Sequence, residues 1–152
     1  MLKVGSELPD IETIDHNGNK INLRDFIGKP TVIYFYPMDD TPGCTKEACS
    51  FRDNVDKFKG VNVVGVSTQG VESHQKFIKK YNLNFTLIAD KDKKVCREFG
   101  VLKSSGFAKR TTFIFDEKGI LRFVFPEVNP EGHAEEVLDK LKELKLLKVK
   151  FK

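Results

Sequence analysis

Between residues 30 and 36 the chain runs Pro-Thr-Val-Ile-Tyr-Phe-Tyr without a charge, and Pro37 stops it. A continuous apolar, β-branched and aromatic run of this length reads as a strand buried on both faces, at the centre of a sheet. The period then changes. From Cys44 onward the apolar positions are Cys44, Ala48, Phe51, Val55 and Phe58, a three-and-four spacing that lines one face of a helix of roughly four turns. Val61 to Ser67 reads as the next buried strand, and Val71, His74, Phe77, Ile78 and Tyr81 fall on a second helical stripe. Thr86 to Ala89 is a short strand, and Val95, Phe99 and Val101 mark a brief helix with Gly100 as its C-cap. Thr111 to Phe115 and Ile120 to Phe125 are strands joined at Glu117-Lys118-Gly119. A last helix starts at about Glu131, with Val137, Leu138, Leu141 and Leu144 on its inner stripe. Ahead of all these, Ile11 to Ile14 and Lys20 to Leu23 flank His16-Asn17-Gly18-Asn19, where Asn-Gly supplies the positive φ of a hairpin turn.

Hairpin, then strand and helix three times over, then hairpin and helix: this order predicts an α/β protein with a mixed central sheet and helices on both faces. It is the order of a thioredoxin-like three-layer fold carrying an N-terminal β-hairpin addition, although other three-layer α/β folds share it. The length of 152 residues, with no internal repeat and no long linker, predicts one domain over 1–152. No apolar run approaches a membrane span, and the opening MLKVGSELPD has no apolar core of a secretory signal, so a cytoplasmic location is expected. The net charge of +4 comes from 26 basic against 22 acidic residues, dispersed except in KLKELKLLKVKFK at the end. That lysine run reads as a solvated helix face and a frayed end, and nucleic-acid binding is not implied.

Three cysteines cannot form a closed disulfide framework, which turns attention to Cys44, Cys49 and Cys96 as chemistry. Cys44 follows the loop Pro37-Met-Asp-Asp-Thr41-Pro-Gly between the carboxyl end of the central strand and a helix, where open α/β sheets bind ligands. In the first turn of a helix, unpaired N–H groups and the helix dipole favour an anion, here the reactive thiolate. Cys49 is five residues on, a Cα separation of about 8.7 Å in an ideal helix. A disulfide tolerates no more than about 7 Å, so the two can bond only if the first turns unwind. Cys-x-x-Cys, the signature of a general disulfide exchanger, is absent. Zinc held by Cys44, Cys49, Cys96 and one of His16, His74 or His133 is the metal alternative, although no second paired ligand motif supports it. Phosphate- and dinucleotide-binding glycine motifs are also absent.

The stretch YFYPMDDTPGCTKEACSFRD resembles the active-site segment of the peroxiredoxins, in the branch called peroxiredoxin Q or bacterioferritin comigratory protein. The family's Pro-x3-Thr-x2-Cys motif is matched at Pro37, Thr41 and Cys44. GVSTQGVESHQKF, LIADKDKKVCREFGV and RTTFIFDEKGILRFVF resemble further family segments in order, so the likeness covers nearly the whole chain. The resemblance implies a thiol-dependent peroxidase with no cofactor and no metal, acting on hydrogen peroxide or organic hydroperoxides. Cys44 would be the peroxidatic nucleophile and Cys49 the resolving cysteine, with thioredoxin or a similar dithiol protein reducing the disulfide. It also implies that Arg110 stabilises the thiolate and the developing oxygen charge, that Thr41 hydrogen-bonds the peroxide and that Pro37 shields the thiolate. Glu47 would orient Arg110, against the plainer reading of a solvated first-turn acid. Cys96 reads as a buried bystander and His74 as a helix-face residue rather than a base. An in-chain resolving cysteine suggests a monomer, with a weak homodimer as the alternative. Two rival functions fit the same residues: a redox sensor whose helix unwinds on oxidation, and a thiol reductase acting on another electrophile.

Overall fold

A computed structural model describes residues 1–147; the end of the lysine-rich run, from residue 148, lies outside the described residues. Among the described residues, seven strands and four α-helices follow the expected order: β1 (Glu12–Ile14), β2 (Lys20–Asn22), β3 (Thr31–Phe35), α1 (Pro42–Asn54), β4 (Asn62–Ser67), α2 (Val71–Tyr81), β5 (Thr86–Ala89), α3 (Lys94–Phe99), β6 (Thr111–Phe115), β7 (Leu121–Phe125) and α4 (His133–Glu143). The main sheet has the order β5-β4-β3-β6-β7. β3 runs parallel to β4 and antiparallel to β6, so the sheet is mixed and β3 is its middle strand. All five residues of β3 are buried, as the uncharged run requires.

Alternation along β3 divides the core in two. Val32, Tyr34 and Tyr36 join residues of α1, α2 and α4 on one face, while Ile33 and Phe35 join α3 and the N-terminal Leu8 and Leu23 on the other. Helices therefore cover both faces, but unequally. On the α1 face the Tyr34 ring stacks on Phe51 with centroids 4.7 Å apart. Burying a phenylalanine completely stabilises the fold by about 2–3 kcal/mol, and this contact seats α1 on the sheet. Gly65 stands opposite Tyr34 in the β3–β4 register. A Cβ there would lie 2.9 Å from the Tyr34 ring and 2.7 Å from Leu87, so only glycine leaves the ring its place.

The boundaries shift where local chemistry decides them. α1 starts at Pro42, two residues before Cys44, because proline suits the first helical position, where its missing N–H has no partner to lose. It ends at Asn54, and Val55–Lys57 tighten into a 3-10 turn instead of completing the fourth turn. α4 begins at His133 rather than near Glu131, since Gly132 has φ +71. β7 begins at Leu121 because Ile120 forms a bridge with Glu7. The hairpin β1–β2 makes its own small sheet, tied to the main one through a bridge between Asp15 and Ile88.

Candidate active site

The β3–β6 register brings the ends of the site together. Phe35 is opposite Thr111, so Arg110, one residue before β6, comes level with Tyr36 and the segment that leads to α1. Residues 110, 112 and 114 have the same parity, and Ile114 points into the α1 face of the core. Arg110 is thereby aimed at α1, and its carbonyl accepts the Val128 N–H at 3.2 Å.

Cys44 is the third residue of α1 and only 1% exposed. Arg110 Nη2 donates to Cys44 Sγ at 3.4 Å, and Nη1 donates to Glu47 Oε1 at 2.8 Å. Positions three apart on a helix face the same way, which lets one planar guanidinium bridge both. Thr41, the N-cap residue, does not cap the helix with its side chain; its hydroxyl donates to the Met38 carbonyl at 2.8 Å. The oxygen keeps its lone pairs, and the amides of the first turn are left for another acceptor. Pro37 and Thr41 are half-buried beside them.

Glu47 is completely buried, which overturns the reading of a solvated first-turn acid. One carboxylate oxygen takes the ion pair with Arg110, and the other has no hydrogen-bond partner. Burial therefore dominates and pushes its pKa up to about 7, against the attraction of Arg110. For Arg110, burial opposes the charge, but Glu47 and Cys44 together outweigh it and hold the pKa above the usual value.

Cys49 is half-buried on the same unbroken helix, and all three cysteines are free thiols. Cys96 lies across the sheet from Cys44, in the other half of the core. Burial, with the charge of Asp90 adding to it, holds its thiol protonated far above the usual range. The zinc set is not assembled. His74 pairs with Asp39, His133 with Thr112 and Glu136, and His16 accepts the Leu87 N–H.

Two site residues escaped the sequence reading. Gly43 has its Cα so close to the guanidinium that a Cβ would stand 3.1 Å from Arg110 Nη2. Asp39, 8% exposed, is the hub of a buried polar cluster. The acidic character of Asp39 and the loop before Cys44 were visible; its partners Gln69, Ser73 and His74, 30 and more residues away, were not.

Residues 4–124 match the AhpC/TSA family. Peroxiredoxin Q, chloroplastic, of Sedum lineare is 44% identical over 146 residues, covering 93% of this chain and 78% of that protein. The chain belongs to the AhpC/TSA family, in its peroxiredoxin Q branch. Solved peroxiredoxins of this branch share the fold. A mutant of Xylella fastidiosa PrxQ superposes with a TM-score of 0.90 at 30% identity, over 95% of this chain and 98% of that one. The bacterioferritin comigratory protein of Xanthomonas campestris, whose alkyl peroxide reduction was captured in trapped intermediate and ligand complexes, gives 0.86 at 34% identity, over 93% and 99%. This peroxiredoxin is accordingly a thiol peroxidase, acting on peroxides at the expense of a thiol reductant.

Proposed function

We propose that the chain reduces hydrogen peroxide and organic hydroperoxides through Cys44 and Cys49 in turn. The observation that carries this reading is the Arg110 contact with Cys44 Sγ at 3.4 Å, at the N-terminus of a helix that also bears Cys49. The Cys44 thiolate attacks the nearer peroxide oxygen; the S–O bond forms as the O–O bond breaks. Sulfur is oxidised by two electrons to the sulfenic acid, and the departing oxygen leaves as water or alcohol after taking a proton. Arg110 stabilises the thiolate before attack and the oxygen charge during it. The Thr41 hydroxyl and the free first-turn amides orient the peroxide, and Pro37 keeps bulk water from the sulfur. Glu47 holds the second guanidinium nitrogen so that the first faces the sulfur. The 1% exposure of Cys44 admits a slender peroxide terminus better than a bulky electrophile.

The Cys49 thiolate then displaces hydroxide from the Cys44 sulfenic acid, releasing water and closing the disulfide. α1 must unwind locally for this to happen, since an intact helix holds the two Cα atoms about 8.7 Å apart. A dithiol protein such as thioredoxin returns both thiols. No step needs a second subunit, so the enzyme works as a monomer.

Turnover of hydrogen peroxide in an assay coupled to thioredoxin, thioredoxin reductase and NADPH tests the reading, with peptide mapping of the oxidised protein. Sustained NADPH oxidation with a Cys44–Cys49 disulfide is expected. Cys44→Ser abolishes it, whereas Cys49→Ser still consumes one equivalent of peroxide and accumulates oxidised Cys44. Oxidation at Cys44 without turnover by any dithiol protein would replace this reading with that of a sensor.

A further inference from the structure

Asp39 lies in the segment between β3 and α1, two residues before Thr41, and α2 holds it by its carboxylate. Oδ2 accepts the Ser73 hydroxyl at 2.8 Å and faces His74 Nδ1 at 2.6 Å, while Oδ1 accepts the Tyr36 hydroxyl at 2.6 Å. Its backbone N–H donates to the Gln69 side chain. His74 is fully buried, and its Nε2 lies 2.8 Å from the Ile88 carbonyl. A carbonyl can only accept, so Nε2 carries hydrogen, and a further proton is shared between Nδ1 and Asp39. Ser73 and His74 stand in the first turn of α2, where the helix dipole also favours a carboxylate. The neighbouring Asp40, at φ +57, accepts from Lys80 and from the half-buried Tyr81 at the far end of α2, but the Asp40 and Lys80 side chains are exposed and their ion pair holds weakly.

We propose that Ser73 and His74 are positioning residues whose grip on Asp39 sets the balance between peroxide attack and disulfide closure. The proposal rests on the two-cysteine cycle above. With Asp39 held, the segment 37–41 and the first turn of α1 keep Thr41, Cys44 and Arg110 together, the arrangement that attacks peroxide. With Asp39 released, the segment is free to follow the unwinding helix, and Cys44 reaches Cys49. One buried contact thus opposes the two halves of the cycle: loosening it slows the first and speeds the second.

Substitutions at His74 separate this role from a loss of packing. Asparagine sets an amide N–H near the place of Nδ1 and preserves the contact with Asp39; glutamine sets one near Nε2 and preserves only the contact with Ile88. The rate constant for peroxide is read by competition with a haem peroxidase, and disulfide closure by rapid quench, alkylation and mass spectrometry. His74→Gln is expected to slow attack about 10-fold and to speed closure by a similar factor, the scale of one charge-assisted hydrogen bond. It should also lower the fraction of Cys44 driven to sulfinic acid by excess peroxide, because faster closure removes the sulfenic acid. His74→Asn is expected to recover most of the attack rate, and Asp39→Asn to resemble His74→Gln. Equal behaviour of the Asn and Gln variants, or attack and closure that slow together, would overturn the proposal. So would unchanged rates in His74→Gln. A wild-type protein that fails to react with peroxide would instead overturn the two-cysteine cycle itself. Should Asp39→Asn not fold, the pair at His74 decides alone.

Discussion

Replacing Glu47 with glutamine should change how the stability of the reduced protein depends on pH, in a direction that burial dictates. The carboxyl has its pKa raised from 4.5 to about 7, chiefly by burial and in spite of Arg110. Between those values the native state keeps a proton that the unfolded chain releases, so stability falls as pH rises through this window. The contribution is fully present below pH 4.5 and gone above about 7. Between pH 5 and pH 8 the loss amounts to about 2.5 kcal/mol. Glutamine cannot ionise, so Glu47→Gln escapes that loss while keeping a carbonyl oxygen to accept from Arg110. Its amide nitrogen takes the place of a carboxylate oxygen that already lacks a partner. An unpaired amide costs about 1–3 kcal/mol, but equally at every pH. The informative quantity is therefore the difference between variant and wild type, followed by urea unfolding under reductant at pH 5, 6, 7 and 8. The variant is expected to gain about 2.5 kcal/mol relative to wild type over that range, other titrating groups cancelling between the two proteins. Parallel curves would refute the argument, since they would mean that Glu47 is as well solvated or paired when folded as when unfolded.

Other substitutions test the remaining contacts. Arg110→Ala should lower the rate constant for peroxide by about 100- to 1,000-fold, the loss typical of one preorganised charge-stabilising donor. Arg110→Lys should recover little of it, because a single ammonium cannot reach Cys44 and Glu47 in the two directions that the guanidinium fork does. Gly43→Ala puts a methyl 3.1 Å from Arg110 Nη2 and should cost about 10-fold in the same rate constant, with far-UV circular dichroism unchanged. Cys96→Ala should leave coupled turnover intact while lowering stability in urea by about 1 kcal/mol, the effect of a small cavity in a sealed core.

What could be read from the sequence was local. The uncharged run at 30–36 and the stripes on α1 and α2 announce themselves through period, and the Asn-Gly turn through backbone chemistry, so strands, helices and the position of Cys44 at a helix start were all legible. Arg110 was visible only by resemblance to a family, since a separation of 66 residues from Cys44 contains no spacing to interpret. The burial of Glu47 was hidden for the opposite reason: an acid in the opening turns of a helix is ordinarily solvated, and only the arrival of Arg110 beside it makes burial tolerable. His74 was assigned to the inner stripe of α2, yet nothing local identifies Asp39 as its partner.

The register of β6 is what makes these distant meetings possible, and apolar alternation alone does not fix it, because all five residues of the strand are buried. A slip of one residue would turn Arg110 away from α1 while still leaving an apolar strand in an apolar setting. Unequal faces resist that slip. The Phe113 ring meets Phe35 and Phe99 edge-on in the half of the core beneath α3, and Thr112 Oγ1 meets His133 Nε2 at 2.7 Å in the other. Exchanging them would drive a ring toward α4 and strand two buried polar groups, each costing about 1–3 kcal/mol. A threonine and a histidine with no part in the chemistry thus hold Arg110 over the thiol, which is why the site depends on residues that neither motif nor spacing would single out.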